Sequence, residues 1–178
     1  MNNIRFKKFE NELDDLVSFM TKNTWEFHSI PNPSKEQIIE NYHNGCYFHN
    51  RETFWILKGD KKIGLIVIDD INDTIPLFDI RLDKTVRGKG YGTQAVDWIV
   101  QYLFSLPDKK IRIEAHTRWD NLAMRKTLYN CRFVKEGYFR NAWENDNGTI
   151  YDSLCYAFIR EDWEKDQITP IKLNEIPF

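Results

Sequence analysis

The sequence predicts one mixed α/β (α+β) domain in which a mostly antiparallel sheet is flanked by helices. Segments of helical and of strand period alternate along 178 residues without internal repeats, a length that a single hydrophobic core serves. "TFWILKGDKKIGLIVIDD" joins two strand-like runs through a Gly-Asp-Lys turn, and "TIPLFDIRLDK" adds a third, the pattern of an antiparallel meander. Gly88, Gly90 and Gly92 then crowd the junction between a strand-like run and a helical one.

Taken in order, "IRFKKF" reads as a first strand, and "NELDDLVSFMTK" places Leu13, Leu16, Val17 and Met20 at helical spacing. Ser34, with Gln37 three residues later, is a capping-box signature that opens a second helix. The connection "NTWEFHSIPNP" carries two prolines, so it can neither extend a helix nor pair centrally in a sheet; its Trp25, Phe27 and His28 are candidates to line a pocket. After the meander, Ala95, Val96, Ile99, Val100 and Leu103 share one helical face that ends before Pro107. "KIRIEAHT" alternates Ile111, Ile113, Ala115 and Thr117 against Arg112, Glu114 and His116, as a half-buried strand does. "DNLAMRKTLYNCRF" is helical from an Asp120 or Asn121 cap, and two strands around an Asn-Gly turn close the domain. The expected order is (β)ααβββαβαββ over residues 1–163, followed by an extended tail over 164–178 that contains Pro170 and Pro177.

A formal charge of −2 and a pI near 6.1 lack the basic excess that phosphate-backbone binding needs, so no nucleic-acid partner is expected. Apolar runs such as "IGLIVI" are too short to cross a bilayer, and "MNNIRFKKFE" has no apolar signal core, which predicts a cytoplasmic protein without a membrane partner. Cys46, Cys131 and Cys155 are odd in number and widely separated, with no CxxC and no His at ligand spacing, so they read as reduced thiols and no metal is expected.

The glycines fit neither common nucleotide motif. Thr93 stands where a GxGxxG fingerprint needs its last glycine, and Lys89 precedes the glycine pair that a Walker loop would place before it. What remains is a turn flanked by Arg87 and Lys89 that leads into a helix whose first N–H groups lack intrahelical acceptors. Converging N–H groups, a helix dipole and missing Cβ atoms suit a diphosphate.

The spacing Arg87-x-x-Gly90-x-Gly92 between a strand and a helix resembles the pyrophosphate loop of the GCN5-related N-acetyltransferases (GNAT). "RIEAHTRWDNLAMRKTLYNCRFVKEGYFR" and "YDSLCYAFIREDW" are similar to the second half of the ribosomal-protein-alanine (Rim-type) branch, through Asn121, Phe133, Glu136, Gly137, Arg140, Asp152, Tyr156 and Trp163. The resemblance implies the GNAT fold and acetyl-CoA as donor. Pyrophosphate would lie on Arg87, Gly88, Lys89, Gly90, Tyr91, Gly92 and Thr93, the pantetheine arm along Ile80, Arg81 and Leu82, and Asn121 would fix that arm. A strand N–H would stabilise the oxyanion.

An amine acceptor must lose a proton before it attacks, and Asp79, Glu114 and His116 project from the strands that flank the pocket; Asp79 and Glu114 are the candidate general bases. Relatives carry a Tyr general acid seven positions after the Asn; Leu128 stands there, and Tyr129 one step later is the nearest candidate acid. Arg132 replaces the glycine that the family has before the Phe. Trp25, Phe27, His28, Trp55, Tyr138 and Trp143 fall on segments that face the acceptor in this family, and Trp25, Phe27, His28 and Trp143 are the candidate acceptor contacts. The expected activity is transfer of an acetyl group from acetyl-CoA to a small-molecule amine in a ternary complex. The alternatives are a protein N-terminal acetyltransferase and a catalytically silent acetyl-CoA-binding module. The fold is compatible with a homodimer.

Overall fold

The computed structural model describes residues 4–175. The chain runs β1 (Ile4–Lys8), α1 (Leu13–Thr21), α2 (Lys35–His43), β2 (Arg51–Lys58), β3 (Lys61–Asp69), β4 (Leu77–Leu82), α3 (Tyr91–Ser105), β5 (Arg112–Arg118), α4 (Leu122–Asn130), β6 (Val134–Glu144), β7 (Ile150–Ile159) and α5 (Arg160–Lys165). This is the expected order with a short closing helix added. The strands form one seven-stranded sheet, β1-β2-β3-β4-β5-β7-β6, antiparallel everywhere except at β4/β5.

Local chemistry sets the boundaries. Ser34 and Gln37 close a reciprocal capping box on α2, and the Asn121 side chain accepts from Met124 N–H at the start of α4. Gly148 turns the β6–β7 hairpin at φ 79°. The family's glycine position holds Arg132 at φ 69°, so the left-handed turn is kept with a side chain that resists it.

The closing helix α5 is an element that the expected order did not include. The boundary expected after Trp163 falls inside α5, and the following residues fold back: Gln167 N–H donates to Asp162 O at 3.0 Å, and Thr169 N–H to the buried Asp162 carboxylate at 2.9 Å. Residues 1–3 of the expected domain and Pro177 of the expected tail lie outside the described residues.

Apolar side chains fill both faces of the sheet. On one, α3 packs Ala95, Val96, Ile99, Val100 and Leu103 against Ile66, Ile68, Phe78, Ile113 and Phe158, with Leu128 of α4 fully buried among them. On the other, Leu16, Phe19 and Met20 of α1 and Ile38 of α2 cover Trp55, Leu65 and Val67. Because alternate strand residues point to opposite faces, Phe78, Ile80 and Leu82 join the first core while Asp79 and Arg81 stand on the second face.

The sheet is split where its one parallel pair meets. β4 and β5 share a single bridge, Leu77 with Glu114. Glu114 N–H donates to Pro76 O at 3.0 Å and Ile111 N–H to Thr74 O at 2.9 Å, which closes one end. The fully buried Lys110 ammonium fastens that end by donating to Asp73 O at 2.8 Å and to Ile71 O. Past Leu77 the strands part.

Candidate active site

The split ends at the glycine-rich turn. Asp83 N–H donates to Ile63 O at 2.8 Å, and strand hydrogen bonds alternate in direction, so Asp79 and Arg81 bond to β3 while Ile80 and Leu82 turn N–H and C=O towards β5. Across the opening, His116 turns its backbone groups towards β4 by the same alternation. The slot therefore has polar backbone edges that an added strand-like ligand would satisfy.

At its mouth the turn runs from Asp83 to Gly90. The buried Asp83 carboxylate holds it by accepting from Thr85 N–H and Oγ at 3.0 and 2.6 Å. Gly88 and Gly90 sit at φ 73° and 82°, where a Cβ is disfavoured, and nothing lies within 4 Å of the space a Cβ would take. Among the described residues, none of the seven successive N–H groups of residues 87 to 93 has a protein acceptor; the first in α3 to find one is Gln94, bonded to Gly90 O at 3.2 Å.

The side chains of this loop do not all point where the sequence suggested. Arg87 turns back onto Leu82 O at 2.9 Å and Thr24 O at 3.0 Å, and Lys89 onto Thr85 O at 2.7 Å. Tyr91 is buried in the core beneath the loop, and Gly92 lies near Thr127 of α4. Asn121 spends its amide on the α4 cap and on Thr117 Oγ, at 3.1 Å.

On the second face, the α1–α2 connection is strapped over the split. Its Asn23 side chain accepts from Lys84 N–H at 2.9 Å, Glu26 O accepts from Arg118 at 2.9 Å, and Ser29 O accepts from Asp146 N–H of the β6–β7 hairpin at 2.8 Å. The guanidinium of Arg118 lies 3.6 Å from the Tyr151 ring centroid and 5.2 Å from that of Phe27 while pairing with Asp120. Arg118 and Tyr151 were missed in the sequence because the contacts that bring them here, Arg118 with Glu26, Phe27 and Tyr151, join segments far apart along the chain.

Asp79 is brought to this face, but not as a free base. Its Oδ1 is 2.9 Å from His28 Nε2 and its Oδ2 accepts from Arg81 Nε at 2.9 Å. Burial pushes the carboxyl up, and the charges of Arg81 and His28 outweigh it, holding Asp79 far below the usual carboxylate range. Such a group takes up a proton poorly. The Asp-x-Arg spacing at 79 and 81, on one strand face, was the legible signal for this pairing.

Glu114 keeps one oxygen for chemistry. Its Oε1 meets Arg112 at 2.7 Å, and Arg112 also meets Glu136 at 2.9 Å, while Oε2 stands 3.6 Å from His116 Nε2, beyond a hydrogen bond. Two expected residues are corrected. Trp25 is 2% exposed, packed on Phe19 and donating to Met20 O at 2.9 Å, so it is a core residue rather than an acceptor contact. Tyr129 is 77% exposed on the outer side of α4, away from the slot, while Leu128 fills the core. Phe27, His28 and Trp143 are half-buried, and His28 Nδ1 and Trp143 Nε1 are buried without a partner among the described residues.

A split sheet with an amide-lined mouth suits a ligand with an anionic group and a strand-like arm. Residues 3–134 match the family described as "Acetyltransferase (GNAT) domain". The chain belongs to this family, and acetyl-CoA is its acetyl donor. No curated protein matches the sequence. Among solved structures, a chimeric spermidine N-acetyltransferase from Vibrio cholerae and hSSAT is 18% identical, with a TM-score of 0.77 over 90% of this chain and 98% of that one. The Vibrio cholerae spermidine N-acetyltransferase in complex with CoA and spermine is 18% identical, with a TM-score of 0.75 over the same shares. A dodecameric structure of that enzyme is 16% identical, with a TM-score of 0.72 over 90% of this chain and 95% of that one. At these identities the likeness is one of fold.

Proposed function

We propose that this N-acetyltransferase binds acetyl-CoA in the β4/β5 slot and transfers the acetyl group directly to a small-molecule amine. The observation that carries the reading is the run of seven unpartnered N–H groups at the mouth of a split sheet. Pyrophosphate lies on those groups at the head of α3, the pantetheine amides bond along Ile80 and Leu82, and the thioester reaches towards Leu77. Ile80 N–H is the gap-facing donor placed to stabilise the oxyanion.

The acceptor enters from the face that carries the strapped loop. An alkyl ammonium, with pKa about 10.4, must be deprotonated, and Glu114 takes that proton through Oε2, directly or through a water. His116, exposed and 3.6 Å away, offers the route to solvent. The amine attacks the thioester carbonyl, the tetrahedral intermediate collapses, and CoA leaves as a thiolate. A thiol pKa of about 8.5 makes that leaving group good enough to depart without a Tyr acid, consistent with a buried Leu128.

A small acceptor is favoured because the Ser29–Asp146 contact ties the loop to the β6–β7 hairpin and narrows the approach that a protein N-terminus needs. The spermine held by the Vibrio cholerae neighbour supports the same substrate class. The test is thiol release from acetyl-CoA with polyamines, amino sugars, arylalkylamines and peptide N-termini. Small amines should turn over and peptides should not, and Glu114→Gln should lower kcat by about 100-fold or more at neutral pH with acetyl-CoA affinity kept. Turnover of peptides alone, or an unchanged pH profile in the variant, would overturn the acceptor or the base respectively.

A further inference from the structure

We propose that Glu114, His116 and Cys155 form a site for a thiophilic divalent cation of the zinc type, on the acceptor face of the sheet. His116 and Cys155 are directly opposed in the β5/β7 register, and Glu114, two residues from His116, shares their face. One atom from each, an imidazole nitrogen, a thiol sulfur and a carboxylate oxygen, lie within 4.8 Å of one another. Tetrahedral zinc holds such ligands at about 2.0–2.3 Å, so closure needs side-chain shifts of only about 1 Å and leaves a fourth position for water. A sulfur and an imidazole select zinc or cobalt over magnesium, calcium or manganese.

The surroundings suit a cation. Arg112 pairs with both Glu114 and Glu136, so Glu114 can turn to a metal without stranding the guanidinium, and the two carboxylates outnumber that one charge. The exposed edge of His116, stacked 6.2 Å from Phe139, is the entry from solvent. On binding, the S–H proton is released to solvent as the sulfur–metal bond forms, with no change of oxidation state. Occupancy would take the Glu114 carboxylate and stop transfer; this consequence, unlike the site itself, rests on the base role proposed above.

Cobalt(II) chloride titrated into the reduced, purified full chain tests the site without using activity. The expected result is a thiolate-to-cobalt charge-transfer band with tetrahedral visible bands, saturating at a single ion per chain and displaced by zinc. Cys155→Ser should abolish the charge-transfer band, and His116→Gln, at an exposed position that folding tolerates, should weaken binding by about tenfold or more. No band in the wild type, or an equal band in the serine variant, would overturn the site. Zinc inhibition of acetyl transfer that is relieved in Cys155→Ser would support both site and consequence. The expected cobalt spectra with a zinc-insensitive rate would keep the site and remove Glu114 as base.

Discussion

At Asp79 the same two contacts that make the carboxylate a poor proton acceptor make it an anchor for the α1–α2 loop. Its folded-state pKa is depressed, so its contribution to stability is present above the unfolded value near 3.8 and is lost as pH falls below it. Asp79→Asn should therefore destabilise the protein by about 1–3 kcal/mol at pH 7, and the gap to wild type should narrow towards pH 3, as urea denaturation at the two pH values will show. The sequence placed Asp79 on the correct strand face. It could not supply His28, which arrives from a loop 51 residues away. Arg132 is a second such position: its left-handed φ costs about 1 kcal/mol, and its ion pair reaches an Asp166 side chain that is 91% exposed and so returns little. Arg132→Gly should raise stability by about 0.5–1 kcal/mol in the same assay.

Among the elements, the glycine-rich turn was the most legible, because its demands are those of backbone geometry. Glycines at positive φ before a helix can be read from spacing alone, whereas the inward fold of Arg87 depends on Thr24, 63 residues away. Gly90→Val should lower acetyl-CoA affinity by at least about tenfold in calorimetric titration, since a β-branched residue resists φ 82° and its side chain would fill the space left for the ligand. Helix faces and strand alternation were recovered from periodicity: all five apolar positions named in α3 are buried. The closing helix α5 was not, because "REDW" directly follows the strand with neither a turn residue nor a side-chain cap to mark the change. The candidate acceptor residues were legible only as a set of aromatics. Their sorting into buried (Trp25) and half-buried (Phe27, Trp143) is decided by packing between segments remote in sequence.

Across the whole molecule, the sheet is two half-sheets joined at one parallel bridge, and the proposed donor completes the missing pairing. Ligand binding should then stabilise the fold by RT ln(1 + [L]/Kd), about 2.7 kcal/mol at a hundredfold excess over Kd, which for a chain of 178 residues corresponds to a Tm rise of roughly 5–10 °C. A thermal scan with and without CoA checks it, and a flat response would mean that the slot stays unfilled.

With the donor placed as proposed, the closed end of that slot would also act as a ruler. Lys110 and the Ile111–Thr74 and Glu114–Pro76 hydrogen bonds clamp the strands together just where the thioester would end, so the walls would converge on the acyl group rather than on the coenzyme's longer arm. Buried charge-assisted bonds resist spreading, and a donor with a longer acyl chain would have to withdraw its carbonyl from Ile80 N–H to fit. Selection for a two-carbon acyl group would in this way be set by the hydrogen bonds that hold the sheet together.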